Sequence, residues 1–458
     1  MKTICKSLAM FINKMQPTQI MVIGFASVIF IGGFLLNLPI ATQSGESIGF
    51  LDALFTSTSA VCVTGLIVVD TATYWSAFGQ IVIITLIQIG GLGFMTITTM
   101  FALITKKRIN LRERLLIQES LNQIDLSGLV RLTRYVLMIT FIIEGIGALL
   151  LSTVFIPQFG VKIGICYSIF HAISAFCNAG FDLMGSVSGQ FSSITYYVNN
   201  FTVTLTISGL IIFGGIGFPV ILDIIKHKKL SKLNLHSKIV ILTTAILIVT
   251  GMVFILLSEF NNPDTLGKLP IGGKFLASLF QSVTARTAGF NTIDLSMMHQ
   301  GSLFVMMILM FIGASPASTG GGIKITTLAT IMLTVKSFIL GKEDIEVYER
   351  RISTSTIRKS LGIFFIGISV VVIGTLLISI TEKEFTLVEA GFEVVSAFAT
   401  VGLSLGGSPN LTVIGKVLIM IFMFMGRVGS LTIFMALLSK GPKNNQTIRY
   451  PEGKIIVG

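Results

Sequence analysis

Eight stretches of this chain are apolar for longer than a water-soluble core has room for: 20–39, 77–104, 135–155, 200–225, 239–257, 302–338, 361–380 and 411–438. A helix crosses the hydrocarbon core of a bilayer with about 18–20 such residues. Inside lipid every backbone N–H and C=O needs a partner within the protein, so only helices and closed barrels can span. None of the eight runs alternates apolar and polar residues as barrel strands do. The expectation is an all-α polytopic membrane protein with eight full spans. Only 12% of its residues are charged and 52% are hydrophobic.

The formal net charge of +12 would suit a nucleic-acid partner, but its distribution does not. Most of the 33 Lys and Arg fall in five places: the N-terminus, 106–134, 226–238, 336–359 and the C-terminal tail. The segments between are almost free of positive charge. That alternation is the positive-inside pattern of a multi-pass protein with both termini in the cytoplasm, and it leaves nucleic acid without a role. The leading MKTICKSLAMFINKMQP is basic and mildly amphipathic, with no clear cleavage site, and reads as a cytoplasmic interfacial segment. Cys5, Cys62, Cys166 and Cys177 lack metal spacing and do not suggest a disulfide framework. The four scattered histidines read as structural. An enzyme would need clustered acids or His pairs inside the spans, and only isolated Glu144 and Glu393 are there.

Between successive pairs of spans lies a shorter, half-apolar segment that recurs four times: ALFTSTSAVCVTGLIVVD (53–70), SIFHAISAFCNAGFDLMG (168–185), SLFQSVTARTAGFNTIDL (278–295) and AGFEVVSAFATVGLSLGG (390–407). Each carries a phenylalanine (Phe55, Phe170, Phe280, Phe392), then Ser or Thr before Ala, then a glycine followed by Leu or Phe. The glycines Gly65, Gly180, Gly289 and Gly402 recur about every 110 residues, which marks internal duplication. A second landmark follows in each unit: GGLG (90–93), GGIG (214–217), GASP (313–316) and GRVG (426–429). The units are 1–130, 131–236, 237–358 and 359–458. They run parallel, each with both ends in the cytoplasm, which argues against a secondary transporter built of inverted repeats.

A segment such as 50–61 is too short to cross as a helix and can enter the membrane only against protein or a water-filled cavity. The glycine after it permits close backbone approach. Four such strands about one axis, Val63-Thr64-Gly65, Asn178-Ala179-Gly180, Thr287-Ala288-Gly289 and Thr400-Val401-Gly402, would present rings of carbonyls, which replace the hydration shell of a cation. The half-helices would aim their negative ends at the same cavity. The fold expected is thus four span–half-helix–span repeats around a pseudo-fourfold pore. GGLG, GGIG and GRVG read first as helix-packing motifs.

GASPASTGGGIKITT (313–327) stands out between two apolar runs. It fails the phosphate-loop pattern, because Ile323 separates the last glycine from Lys324 and Ile325 follows it. Proline and three glycines break the helix. Non-helical backbone at this depth needs a watery lining, so Gly313, Ala314, Ser315, Pro316, Ala317, Ser318, Thr319, Gly320, Gly321 and Gly322 are expected to cross the ion path below the filter. Only the third of the four second spans is expected to be broken.

With VTGL, NAGF, TAGF and TVGL in a four-fold span–half-helix–span plan, the chain resembles the Trk/Ktr/HKT superfamily of cation transporters. Its length, ending after the fourth repeat, resembles the membrane subunit of bacterial Ktr systems (KtrB/KtrD type). The resemblance implies K⁺ bound only at the filter carbonyls, since all four strands keep glycine. It implies uptake of K⁺ into the cell, a gating role for the intramembrane loop, Na⁺ as an activator, and no covalent cofactor. It also implies a homodimer in a bacterial cell membrane, on a cytoplasmic nucleotide-binding regulatory ring of KtrA/KtrC type. A Na⁺-permeable or poorly selective monovalent cation transporter of the same fold stays open.

Six further charged side chains draw a reading. Lys324 either sets an ammonium near the pore, repelling or mimicking a cation, or snorkels or binds helix C-terminal carbonyls. Arg427 either forms an electrostatic barrier below the filter or pairs with Glu144 or Glu393. Asp70, Asp182 and Asp294 follow three of the four strands and either gather cations at the outer mouth, or solvate their loops or cap the next helix. Arg286 is expected behind the filter as a brace. The apolar tail YPEGKIIVG is read as a dimer contact.

Overall fold

The computed structural model describes residues 17–93, 96, 129–429 and 432. The N-terminal interfacial segment, most of the first basic loop and the C-terminal tail fall outside the described residues. Apart from a two-stranded hairpin, β1 (Glu346–Val347) and β2 (Arg350–Arg351), the regular structure is helical. Twelve of the helices sort into three sets of four.

The first set is long: α1 (Pro17–Leu36), α4 (Leu129–Phe159), α8 (Leu235–Glu259) and α12 (Thr354–Thr381). These four have the length and apolarity to cross a membrane. Phe30, Phe141, Leu149, Leu242, Leu257, Phe365 and Ile380 stand exposed on them, as lipid-facing residues must. The second set, α2 (Phe50–Cys62), α5 (Val161–Phe176), α9 (Ile271–Thr284) and α13 (Leu387–Ala399), has 13 to 16 residues each and ends where the glycine strands begin. The third set is α3 (Ala77–Leu92), α6 (Phe201–Ile216), α10 (Gln300–Phe311) and α14 (Val413–Val428).

Each half-helix packs against the long helix before it, α1 on α2, α4 on α5, α8 on α9 and α12 on α13. The third-set helix of one repeat packs against the half-helix of the next: α3 on α5, α6 on α9, α10 on α13, and α14 back on α2. The fourth repeat therefore meets the first and the arrangement closes. Ends are fixed by side chains as well as by packing. Ser76, Asn200 and Thr412 cap α3, α6 and α14. Buried Glu259, at the end of α8, accepts from Asn262, Thr265, His299 and Ser302, and Glu382, just past α12, accepts from Thr412. These two acids tie the end of a long helix to the start of a third-set helix in the same repeat.

Sequence reading overestimates the continuity of the third set. These helices have 12 to 16 residues, or roughly 18–24 Å, short of the ~30 Å core. All four stop at their landmark, not the third alone. Gly93, Gly217 and Gly429, the last residues of GGLG, GGIG and GRVG, have φ of 79°, 94° and 95°. A right-handed helix cannot pass through such a residue. After Gly217 the chain resumes as α7 (Phe218–His227), bent 96° from α6. After the 313–322 loop it resumes as α11 (Ile325–Ile339).

Candidate functional site

The four half-helices deliver four short strands to one place. In each, the residue two before the glycine is left-handed: Val63 (φ 57°), Asn178 (60°), Thr287 (73°) and Thr400 (52°). The glycines follow at φ 95°, 70°, 83° and 90°. Non-glycine residues rarely adopt positive φ, so four at matching positions is an imposed backbone shape. Thr64, Ala179, Ala288 and Val401, between them, are fully buried.

The glycines meet in closed order. A side chain on Gly65 would land on the carbonyl oxygen of Ala179. One on Gly180 would land on that of Ala288, one on Gly289 on that of Val401, and one on Gly402 on that of Thr64. The carbonyl of the residue preceding each glycine thus lies against the neighbouring strand, around the full circle. Oxygen-rich backbone, with the negative ends of four helices behind it, suits a partly dehydrated monovalent cation.

Bracing of the strands comes from the recurring Ser or Thr. Ser59 Oγ accepts from the Gly65 N–H at 3.0 Å and Ser396 Oγ from the Gly402 N–H at 3.1 Å. Ser174 Oγ donates to the Phe181 carbonyl at 2.7 Å and Thr284 Oγ1 to the Phe290 carbonyl at 2.6 Å. The backbone carbonyls of Ser59, Ser174, Thr284 and Ser396 also accept from Thr64, Ala179, Ala288 and Val401. Sequence reading registers these residues as part of the repeat but gives them no task. His171 is a further brace: fully buried, its Nδ1 lies 2.7 Å from the Tyr167 carbonyl and its Nε2 accepts from the Leu183 N–H at 3.2 Å.

The 313–322 loop lies directly against the strands on the side where the third-set helices end. Its two ends are held together by a bridge between Ile312 and Ile323. Side chains added to Gly320 and Gly321 would strike the Thr287 and Thr400 hydroxyls. The Asn178 amide meets Thr287 Oγ1 at 3.1 Å, its nitrogen turned to the carbonyls of Ala175 and Ile211. Ser315 and Thr319 donate their N–H groups to the carbonyls of Gly215 and Gly214, and Thr319 Oγ1 donates to the Phe176 carbonyl at the end of α5. Ala314, Ser315 and Thr319 are fully buried, whereas Pro316, Ala317 (φ 53°) and Ser318 are half-buried.

The landmark glycines divide their work. A side chain on Gly90, Gly214 or Gly426 would collide with the carbonyl of Val61, Phe176 or Phe398 in the last turn of a half-helix. Gly313, their counterpart in the third repeat, instead lies against the Gly321 carbonyl of its own loop. The loop has taken the place of a helix contact.

Of the charged candidates, Lys324 Nζ donates to the carbonyls of Gly320 (2.6 Å) and Gly321 (3.4 Å), so it closes the loop on itself. Arg427 donates to Thr319 O, Gly90 O and Gly91 O, joining the loop to the end of α3. The ion-pair alternative for Arg427 fails: Glu144 accepts from Gln88, and Glu393 from Ser404 and Ser408. Asp70 caps the turn Thr71–Tyr74 and reaches the Phe191 N–H, Asp182 accepts from Met184 N, and Asp294 from Ser296. Asp70 and Asp294 cap the short helices that follow them, whereas Asp182 closes a local turn and caps no helix among the described residues. Arg286 is buried, and its Nε has no partner among the described residues.

Residues 3–447 match the family model described as TrkH, cation transport protein. The chain is 42% identical to the potassium/sodium uptake protein NtpJ of Enterococcus hirae, covering 97% of this chain and 98% of that protein. It is 43% identical to the Ktr system potassium uptake protein B of Bacillus subtilis, covering 97% of each, and 39% identical to protein D of the Ktr system in the same organism, covering 98% of each. In fold it is similar to the crystal structure of the potassium transporter TrkH from Vibrio parahaemolyticus, with a TM-score of 0.70 and 17% identity over 92% of this chain and 84% of that one. With the family model matched over nearly its whole length, the chain belongs to the TrkH family of cation transport proteins, which are membrane transporters and not enzymes.

Proposed function

We propose that the chain is the membrane subunit of a K⁺ uptake system. Ions pass through a ring formed by Val63-Thr64-Gly65, Asn178-Ala179-Gly180, Thr287-Ala288-Gly289 and Thr400-Val401-Gly402. The reading rests on one observation, the closed circle in which each ring glycine faces the carbonyl of the residue preceding its neighbour. The names of the Ktr and TrkH relatives support K⁺ as the ion. Residues 313–322 gate the path from the cytoplasmic side, with Lys324 and Arg427 holding the closed loop by its carbonyls. Asp70, Asp182 and Asp294 add negative potential at the outer mouth while capping local turns. The chain works as a homodimer in a bacterial cell membrane, both termini inside, on a cytoplasmic nucleotide-binding regulatory ring, with Na⁺ as an activator. A second reading, passage of Na⁺ as well as K⁺, is favoured by the similarity to the potassium/sodium uptake protein of Enterococcus hirae.

Rubidium uptake into liposomes holding only this purified chain tests the proposal, with K⁺ or Na⁺ as competitor. Block by K⁺ far better than by Na⁺ supports a K⁺ filter, and equal block supports the second reading. The same run includes a deletion of residues 314–321. Flux that appears or rises in the deletion makes the loop the gate. Silence in both chains removes the autonomous pore from the account.

A further inference from the structure

The bend at Gly217 produces a helix that the ion path does not use. α7 leaves α6 at 96°, so it runs nearly along the membrane plane if α6 runs across it. Phe218, Val220 and Ile221 are buried against the protein. Away from that face stand Ile224, Ile225 and, just past the helix, Leu230, exposed by 40%, 56% and 71%. Among them lie Lys226, Lys228, Lys229 and Lys232, all exposed. Within the described residues none of these four lysines makes an ion pair. The one acid in the stretch, Asp223, is turned inward. It accepts from His227 Nδ1, Asn234 N and Asn234 Nδ2, each at 2.9 Å, and so staples α7 to the start of α8. Four cations without counter-charge beside three exposed large apolar side chains are the makings of an interfacial lipid contact.

We propose that residues 224–232 bind an anionic phospholipid of the cytoplasmic leaflet, with the lysines on its headgroup and Ile224, Ile225 and Leu230 against its acyl chains. The proposal rests on the cytoplasmic placement of 226–238. The site is wired to the loop. Phe218 N–H donates to the Ala317 carbonyl at 3.0 Å, and the carbonyls of Gly215 and Gly214 accept from Ser315 and Thr319. A lipid that fixes α7 therefore fixes the corner on which three loop backbone bonds hang, and favours the loop as it stands here.

The test compares the full chain with the variant K226Q/K228Q/K229Q/K232Q and its all-arginine counterpart. Each is passed through mixed micelles of phosphatidylcholine and phosphatidylglycerol, and the lipid retained per chain is quantified by mass spectrometry. The expected result is enrichment of phosphatidylglycerol on the parent chain and on the arginine variant. The glutamine variant should lose it, by up to about fivefold for each lysine removed, and added salt should weaken it on the parent. Equal phosphatidylglycerol retention by the parent and glutamine chains overturns the proposal. So does retained lipid with lost capture of a cytosolic nucleotide-binding protein, which would assign the lysines to a protein partner. Ser231→Cys, labelled in intact cells by a membrane-impermeant maleimide, would overturn the cytoplasmic placement separately. None of these readouts needs ion flux, so their failure leaves the K⁺ reading standing on its own test.

Discussion

At the ring glycines, backbone geometry decides what a side chain would cost. Gly402 has φ 90°, and a Cβ there would fall on the Thr64 carbonyl and lie 2.9 Å from the Gly65 Cα. Gly402→Ser must therefore push two strands apart. The expected outcome is a fall of at least about tenfold in preference for K⁺ over Na⁺, some 1.4 kcal/mol, in rubidium competition, with normal elution on size exclusion. Unchanged preference would take the carbonyl ring out of the account. The Ser/Thr braces predict an asymmetry. Ser59→Ala and Ser396→Ala each leave a glycine N–H without its acceptor, a loss of about 1–3 kcal/mol when the group is buried. Ser174→Ala and Thr284→Val remove a donor from a carbonyl, a group that tolerates under-satisfaction better. Thermal unfolding should show larger losses for the first pair than for the second. Recurrence alone made these four residues visible in the sequence. Which way each hydrogen bond runs was not legible, because a hydroxyl both donates and accepts.

At the scale of elements, the sequence told where chain elements repeat better than where they end. The half-helices and their glycines recur in step, and length alone forbids them to span. The landmarks GGLG, GGIG and GRVG were legible as packing motifs, and their first glycines do pack. Their last glycines stop the helix, which spacing cannot reveal, since two small residues three apart signal close packing whatever their φ. GASPASTGGG betrayed itself by proline and glycine content, and so seemed to be the only break. The packing role makes a sharp prediction. In Gly90→Ala, Gly214→Ala and Gly426→Ala the new methyl overlaps the carbonyl of Val61, Phe176 or Phe398, the last turn before a glycine strand. Overpacking against a backbone that cannot yield costs about 1–3 kcal/mol or more. Each variant should lose melting temperature and rubidium flux together. Gly145→Ala and Gly209→Ala, where an added Cβ meets nothing within 4 Å, should lose neither. Equal tolerance at all five positions would show that the third-set helices are free to slide along the half-helices.

The whole molecule is a chain of four repeats that must close on itself, and closure is the property that its order in sequence conceals. Neighbouring repeats are joined by continuous backbone, whereas the fourth meets the first through non-covalent contacts: α14 packs on α2, Arg427 donates to the Gly90 and Gly91 carbonyls, and Gly402 lies against the Thr64 carbonyl. One ion pair sits at that seam: Lys416 Nζ lies 2.6 Å from Asp52 Oδ1, with side chains 15% and 27% exposed. Both residues belong to the first turns of their helices, far from the ring glycines in sequence. Nothing in the sequence pairs them, because the pairing exists only after the circle is complete. An exposed pair contributes about 0–1 kcal/mol, and breaking a buried one costs about 3–5 kcal/mol. This half-buried pair should fall between, at roughly 1–3 kcal/mol. The double-mutant cycle of Asp52→Asn, Lys416→Gln and their combination isolates it. A coupling term in thermal unfolding, with restored stability in the swap Asp52→Lys with Lys416→Asp, would show that the seam is stabilised as a unit. If closure also sets ring geometry, Asp52→Asn should loosen K⁺ preference even though Asp52 touches no glycine strand. Additive single effects with unaltered preference would mean that this ion pair does not fasten the seam, which is then held by apolar packing and by Arg427 on the Gly90 and Gly91 carbonyls.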